Sequence, residues 1–294
     1  MKAMTALLRR EFLEHRGAFL YAPAVLIAAL LVLITAGIIF GDTPSIGAHN
    51  RDMTPLVLLQ IAFGGVGAMW SAYLIVALYF YYADAFSADQ RNNSMLFWKS
   101  MPQSDLTILT SKAIAGLTIL PALILGFALI NMVLVYLLSF PLAARLPFIP
   151  IANPIDMLAA LFGMGIGVAV FLVLSVIWYA PFLALVAGLS VLVKRWAIPA
   201  AILLIGAVVI TETVLTFGRT VAHPIREYIA YRADGFAGDI DPMPIITKGG
   251  YMAPFDLIGT MLSNVDWLQM ALGVAIAVAV VYGSSEYRRR RLDS

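Results

Sequence analysis

The chain contains no cysteine, which excludes a disulfide framework, a thiolate metal site and thiol chemistry. Histidine is nearly as scarce. The 3 histidines, His15, His49 and His223, stand far apart and give no metal-ligand spacing. Charge is thin as well: 12% of the 294 residues are charged and 62% are hydrophobic, whereas soluble domains carry about 25% and 45–50%. This composition argues against a large water-soluble core. A membrane-embedded enzyme would want His, Asp or Glu clustered at one membrane depth, and the acids here are scattered. The net charge of +2 defines no partner, and no nucleic-acid partner is expected.

What the chain does have is long uncharged runs. A membrane helix needs about 20 apolar residues, and such runs lie at about 18–40, 61–82, 113–139, 158–192, 196–217 and 267–284. The expected fold is an all-α integral membrane protein with six transmembrane helices in one domain spanning 1–294. The first run, beginning at Gly17, is too long for a signal-peptide core and reads as a retained span. The fourth is longer than one crossing needs. Pro181, within "IWYAPFLALVAGL", predicts a kink or a break there. Two shorter segments, giving seven crossings or a re-entrant pair, are the alternative.

Basic residues orient these spans. With the N-terminus inside, the inner segments hold Lys2, Arg9, Arg10, Arg16, Arg91, Lys99, Lys112, Lys194, Arg195 and Arg288 to Arg291. The outer ones hold Arg51, Arg145, Arg219, Arg226, Arg232 and Lys248, mostly in one long loop, where the bias is a weaker guide. The expectation is a multi-pass protein of the cytoplasmic membrane with both termini cytoplasmic. Residues 2–16 mix charge with Met4, Leu8 and Phe12 at four-residue spacing and Leu7 beside them. They read as an amphipathic helix along the inner bilayer face, or as a positive flank orienting the first span. The terminal "EYRRRRLDS" reads as an anchor against anionic lipid.

The long outer loop, 218–266, is rich in Gly and Pro and suits a folded cap. Pro224 can open a short helix there. "YMAPFDLIGTML" is apolar enough to dip back toward the membrane or to cover a cavity. No internal repeat is visible, which weakens a secondary-carrier reading built on repeated halves.

The inner loop at 84–112 is the most informative segment. Ser94 can cap a helix from Met95 to about Met101, where Pro102 stops it. Ser104 can cap a second helix, with Asp105 in its first turn, running through Lys112 into the third span. Seven residues make no stable helix alone in water, so the 94–102 helix must pack on something. Met95, Trp98 and Met101 share one stripe while Leu96 and Phe97 point elsewhere. That leaves apolar surface for a docking partner. An aromatic at the membrane interface accounts for Trp98 but less easily for the cluster between two caps.

"DQRNNSMLFWKSMPQSD" followed by "LTSK" resembles the inside loop of type-2 ATP-binding-cassette (ABC) permeases, the exporter-like membrane subunits of bacteria. The N-terminal helix, six spans, long last outer loop and basic C-terminus are similar too, although the specific part covers about 84–112. Met101 stands where many relatives have Leu. The resemblance implies a single permease domain forming a homo- or heterodimer in the bacterial inner membrane, seated on two copies of a separate ATPase subunit. The 94–102 segment would be the coupling helix. Asp89 and Arg91 would be polar docking contacts, Met95, Phe97, Trp98 and Lys99 the docking surface, and Pro102 the terminator. The chain has no G-x-x-x-x-G-K-[ST] loop to cradle phosphates. It is therefore expected to bind no cofactor and to be no enzyme itself, with ATP and Mg on the partner ATPase.

Glu212 is the acid within an expected span. It reads either as part of a substrate path or as an interfacial or structural hydrogen-bonding group. Asn131 reads as an interhelical hydrogen bond or a substrate contact. Gly163, Gly165 and Gly167 permit close helix approach. An ion-coupled carrier and a membrane-embedded enzyme are the competing functions, and no residue cluster names a cargo.

Overall fold

The computed structural model describes residues 2–41, 53–86, 104–146, 149–216, 223–238 and 240–293. Every regular element among them is helical. Helix α1 (Lys2–Arg16) continues through a π-turn (Gly17–Tyr21) into α2 (Ala22–Phe40). Then follow α3 (Pro55–Ala85), α4 (Asp105–Leu117), α5 (Ile119–Arg145), α6 (Pro154–Val193), α7 (Ala197–Leu215), α8 (Pro224–Asp234), α9 (Pro242–Gly249), α10 (Ala253–Asn264) and α11 (Trp267–Asp293). Six stretches are long and apolar enough to cross a membrane: Met4–Phe40, Pro55–Ala85, Asp105–Arg145, Pro154–Val193, Ala197–Leu215 and Trp267–Arg290.

Local chemistry sets most of the helix ends. The Thr54 hydroxyl accepts from the Val57 amide, Ser104 from Thr107, the Asn153 side chain from Asp156 and Asp241 from Met243, each satisfying an amide that the first helical turn leaves open. Pro121 has no N–H for the Leu117 carbonyl, and the chain breaks there, at Thr118, so α4 and α5 form one jointed span. Pro23 likewise has none for Phe19, and the π-turn lies over that gap. Pro181, by contrast, leaves α6 continuous for 40 residues. The fourth run is one helix rather than two segments, which leaves six span-length stretches among the described residues.

Helix α6 is the axis. It packs most extensively on α3 and α11, and also on α5, α7 and α10. Its contact with α3 is close at Gly67, where an added Cβ would stand 2.3 Å from Val168 Cγ2. Phe63, Trp70, Leu74 and Leu78 of α3 are buried in the same core. Helices α2 and α7 are peripheral and carry uncovered apolar side chains, among them Val32, Leu33, Leu203 and Leu215. Such surface is a liability in water and normal against lipid.

Contacts along α6 give the register of the bundle. Gly163 meets Pro254, Trp178 meets Arg232, and Gly188 meets Val280. At 1.5 Å per residue, Pro254 therefore stands roughly 20 Å farther along α6 than Arg232. The hairpin of α9 and α10 lies beside α6 rather than over its end, in keeping with the apolar pattern of 251–262. Helices α1 and α11 both reach α4, so the two chain ends share one face of the bundle.

Candidate functional site

At the face shared by the termini, residues distant in sequence form a buried polar knot. Lys112 Nζ of α4 lies 2.8 Å from Glu11 Oε1 of α1, with the two side chains 0% and 3% exposed. The Tyr81 hydroxyl of α3 sits 3.1 Å from Glu11 Oε2 and 3.0 Å from the Lys112 carbonyl oxygen, both acceptors for its single proton. Tyr82 donates to the Ala113 carbonyl at 2.9 Å. His15 packs edge-on to Tyr81, with ring centroids 4.6 Å apart. Charges removed from water need close partners to offset their desolvation, and this carboxylate has both a cation and a hydroxyl. Glu14 and His15 lie near Glu11 in a group of metal-ligand type. Glu11 is already balanced by Lys112, so the group is read as structural.

The knot changes the reading of α1. Its inward stripe is Leu7 and Glu11, continued by Phe19 of the π-turn, offset from the apolar stripe of Met4, Leu8 and Phe12. Leu7 packs on Ile108, and Glu11 meets Lys112 four residues farther along both helices. Helix α1 thus runs parallel to α4, clamped by a salt bridge.

Arg288 of α11 forms the second half of the site. Its guanidinium is buried and donates to the Phe86 carbonyl at 3.4 Å, while Nη2 lies 3.4 Å from Asp105 Oδ1. Phe86 is the C-cap that directly follows α3, and Asp105 opens α4 just after the Ser104 cap. One guanidinium therefore holds both roots of the 87–103 segment. The basic tail is split by helical periodicity. Arg289 and Arg290 are 68% and 78% exposed and pair with Glu286, as an anchor facing lipid headgroups or water would be. Arg288 is turned inward.

The expected docking residues Asp89, Arg91, Met95, Phe97, Trp98, Lys99 and Pro102, and the 94–102 helix itself, lie outside the described residues. Asn131 is buried in α5. Glu212 is buried in α7, and its two carboxylate oxygens accept from the backbone amides of Ile225 (2.9 Å) and Arg226 (2.8 Å). These amides belong to the first turn of α8, so Glu212 caps that helix from a neighbouring one, where the dipole favours negative charge. No substantial interface joins α5 to α7 among the described residues, and Asn131 and Glu212 form no common site.

Sequence reasoning missed Glu11, Tyr81, Arg288 and Arg232 as structural centres. Arg232 of α8 is wholly buried against α6 and α11, and no carboxylate among the described residues pairs with it. It donates to the carbonyls of Trp178 (2.8 Å) and Gln269, and its guanidinium carbon stands 4.4 Å from the Trp178 ring centroid. Trp178 Nε1 in turn donates to the Arg232 carbonyl at 3.0 Å. Pro181 strips the Ile177 carbonyl of its helical partner, and Arg232 binds the next carbonyl along. Arg232 lies in a polar helix that also carries Arg226, Glu227 and Asp234, and nothing local marked it as the one to be buried.

Fold and burial together define an all-α, multi-pass membrane protein whose chain ends meet at one face. Comparison with protein-family models, with curated proteins and with solved structures found no match.

Proposed function

We propose that this chain is the membrane subunit of an ATP-driven ABC transporter, working as a dimer on two copies of a separate ATPase in the bacterial cytoplasmic membrane. Both termini face the cytoplasm, and the 94–102 segment is the coupling helix. Export, rather than uptake, follows from the resemblance to type-2 permeases. The proposal rests on that resemblance over 84–112 and on the absence of a phosphate-cradling loop.

The observation that carries it is the grip of Arg288 on Phe86 and Asp105. A segment that receives force from a motor must pass it on to the spans. Here a displacement of 87–103 pulls on α3 at Phe86, on α4 at Asp105 and on α11 through the shared guanidinium. The Lys112–Glu11 pair extends the load to α1. Four helices then move with one loop, which is how a local event becomes a rigid-body change.

An ion-coupled carrier would lean on Glu212, whose oxygens are occupied by the α8 amides. The test is the double substitution Phe97→Ala with Trp98→Ala. It should release the ATPase in co-purification while the membrane subunit remains inserted. Undiminished co-purification would count against the assignment.

A further inference from the structure

Between α3, α6, α9 and α10 lies a cavity of about 430 Å³. It is formed within one copy of the chain, beside the spans and away from the polar knot. Its walls include Ile61, Met164, Phe171, Ile246, Leu257 and Met261. Ser71 supplies the one hydroxyl among the lining side chains, and it is spent on the Gly67 carbonyl at 2.7 Å. A site built for a polar small molecule places a few convergent hydrogen-bonding groups on apolar walls. This one offers a single hydroxyl whose proton is already used. Its apolar walls also give water few hydrogen-bonding partners.

The space is kept open by glycines that no helix contact requires. A Cβ at Gly65 would meet nothing within 4 Å, and one at Gly167 would meet Ile258 Cγ1 at 4.0 Å. The contrast with their neighbours is sharp: at Gly67 and Gly163 an added Cβ would come within 2.3 Å of Val168 and 2.8 Å of Pro254. Glycine is a poor residue for a helix interior, and at Gly65 and Gly167 what it preserves is volume.

The open side is marked by Gly65, Ala68 and Met243, which are exposed. Gly65 is roughly 15 Å along α3 from Pro55 and Gly167 roughly 20 Å along α6 from Pro154, at 1.5 Å per residue. The mouth is therefore at span depth, where the surroundings are lipid tails. At roughly 30 Å³ per water-sized group, the cavity has space for on the order of a dozen methylenes.

We infer that this cavity binds a single unbranched alkyl chain, the acyl chain of a surrounding bilayer lipid, entering between α3 and α9. The inference does not depend on the transporter reading. It is tested on the full chain in bilayers containing a phosphatidylcholine with a diazirine midway along one acyl chain. Photolysis should label peptides 164–171 and 243–261 at least fivefold above the lipid-exposed 25–33 stretch of α2. Gly65→Leu combined with Gly167→Leu should remove that excess and leave the α2 labelling unchanged. On the unsubstituted protein in detergent, tetradecanoic acid should compete for the label at concentrations at least tenfold below hexanoic acid. Labelling no stronger than at α2, labelling that survives cavity filling, or equal competition by the two acids would overturn the proposal. So would labelling that rises only when a dimer dissociates, because a second copy would then be the occupant. Should the double leucine variant fail to fold, the competition arm on the unsubstituted protein still decides.

Discussion

At the face shared by the termini, the buried cations Lys112 and Arg288 have carboxylate neighbours, Glu11 and Asp105. Deeper along α6, Arg232 is buried equally well but is held by carbonyl oxygens and the Trp178 ring. Beyond it lies the apolar cavity under α9 and α10. Ion pairs tie helices together strongly only while both partners are present. Carbonyls and an aromatic face supply weaker, distributed attraction that tolerates small shifts. On the proposed reading the terminal face would move as one body, while the hairpin side holds its buried cation through weaker, distributed contacts. A loop rooted in the first region passes displacement on, whereas one rooted in the second would absorb it.

The largest effect that could break this contrast is expected at the knot. Lys112→Met leaves the Glu11 carboxylate buried without its cation, and breaking such a pair costs about 3–5 kcal/mol. Unfolding in detergent should fall accordingly, and adding Glu11→Gln should recover part of the loss. Additive losses in the double variant would mean that the two side chains do not act as a pair.

Arg232→Met should cost less, about 1.5–3 kcal/mol, the range for hydrogen bonds to a charged group. Proteolytic susceptibility should rise in 224–240 before it rises elsewhere. Equal or greater destabilisation than at Lys112 would erase the distinction between the two regions.

Glu212→Gln keeps one acceptor for the α8 amides but loses the charge, and should cost about 1 kcal/mol, as other cap losses do. If the chain is a transporter subunit as proposed, its transport should be unchanged. Altered transport at normal stability would instead return Glu212 to the substrate path.

The smallest effect concerns Tyr251, whose hydroxyl donates to Asp156 at the start of α6. That bond holds the phenol above its ordinary pKa, so the neutral donor is favoured in the folded chain. The tie is intact below the usual tyrosine range and is lost as pH rises through the raised value. Tyr251→Phe should lower stability slightly and evenly through the neutral range and flatten the alkaline limb, the two proteins converging once the pH passes the raised value.

How much of this was legible beforehand differs by element. The spans could be read because lipid forces every crossing segment to be apolar and internally hydrogen-bonded, a local requirement. Ser104 and Pro224 announced their helix starts for the same reason. Pro181 predicted a kink or a break, and the break does not occur: α6, packed between α3 and α11, runs unbroken through it, and Arg232 binds the adjoining Trp178 carbonyl. Glu212 could be flagged as an anomalous acid, but α8 had to fold back before its role as a cap was visible. The expected docking residues, Asp89 to Pro102, were readable only as a local sequence pattern, and they lie outside the described structure.

By itself the sequence determined that this chain belongs in a membrane, where its long apolar runs lie, and that it carries no phosphate-cradling motif. Those properties follow from residue type and local spacing, since hydropathy and capping act over one helix at a time. Only the tertiary structure decided which charges are partners, that Arg288 rather than its neighbours turns inward, and that Gly65 and Gly167 guard a cavity while Gly67 and Gly163 close a contact. Glu11 and Lys112 are 101 residues apart in the chain. No local pattern encodes their meeting, because it depends on how whole helices pack.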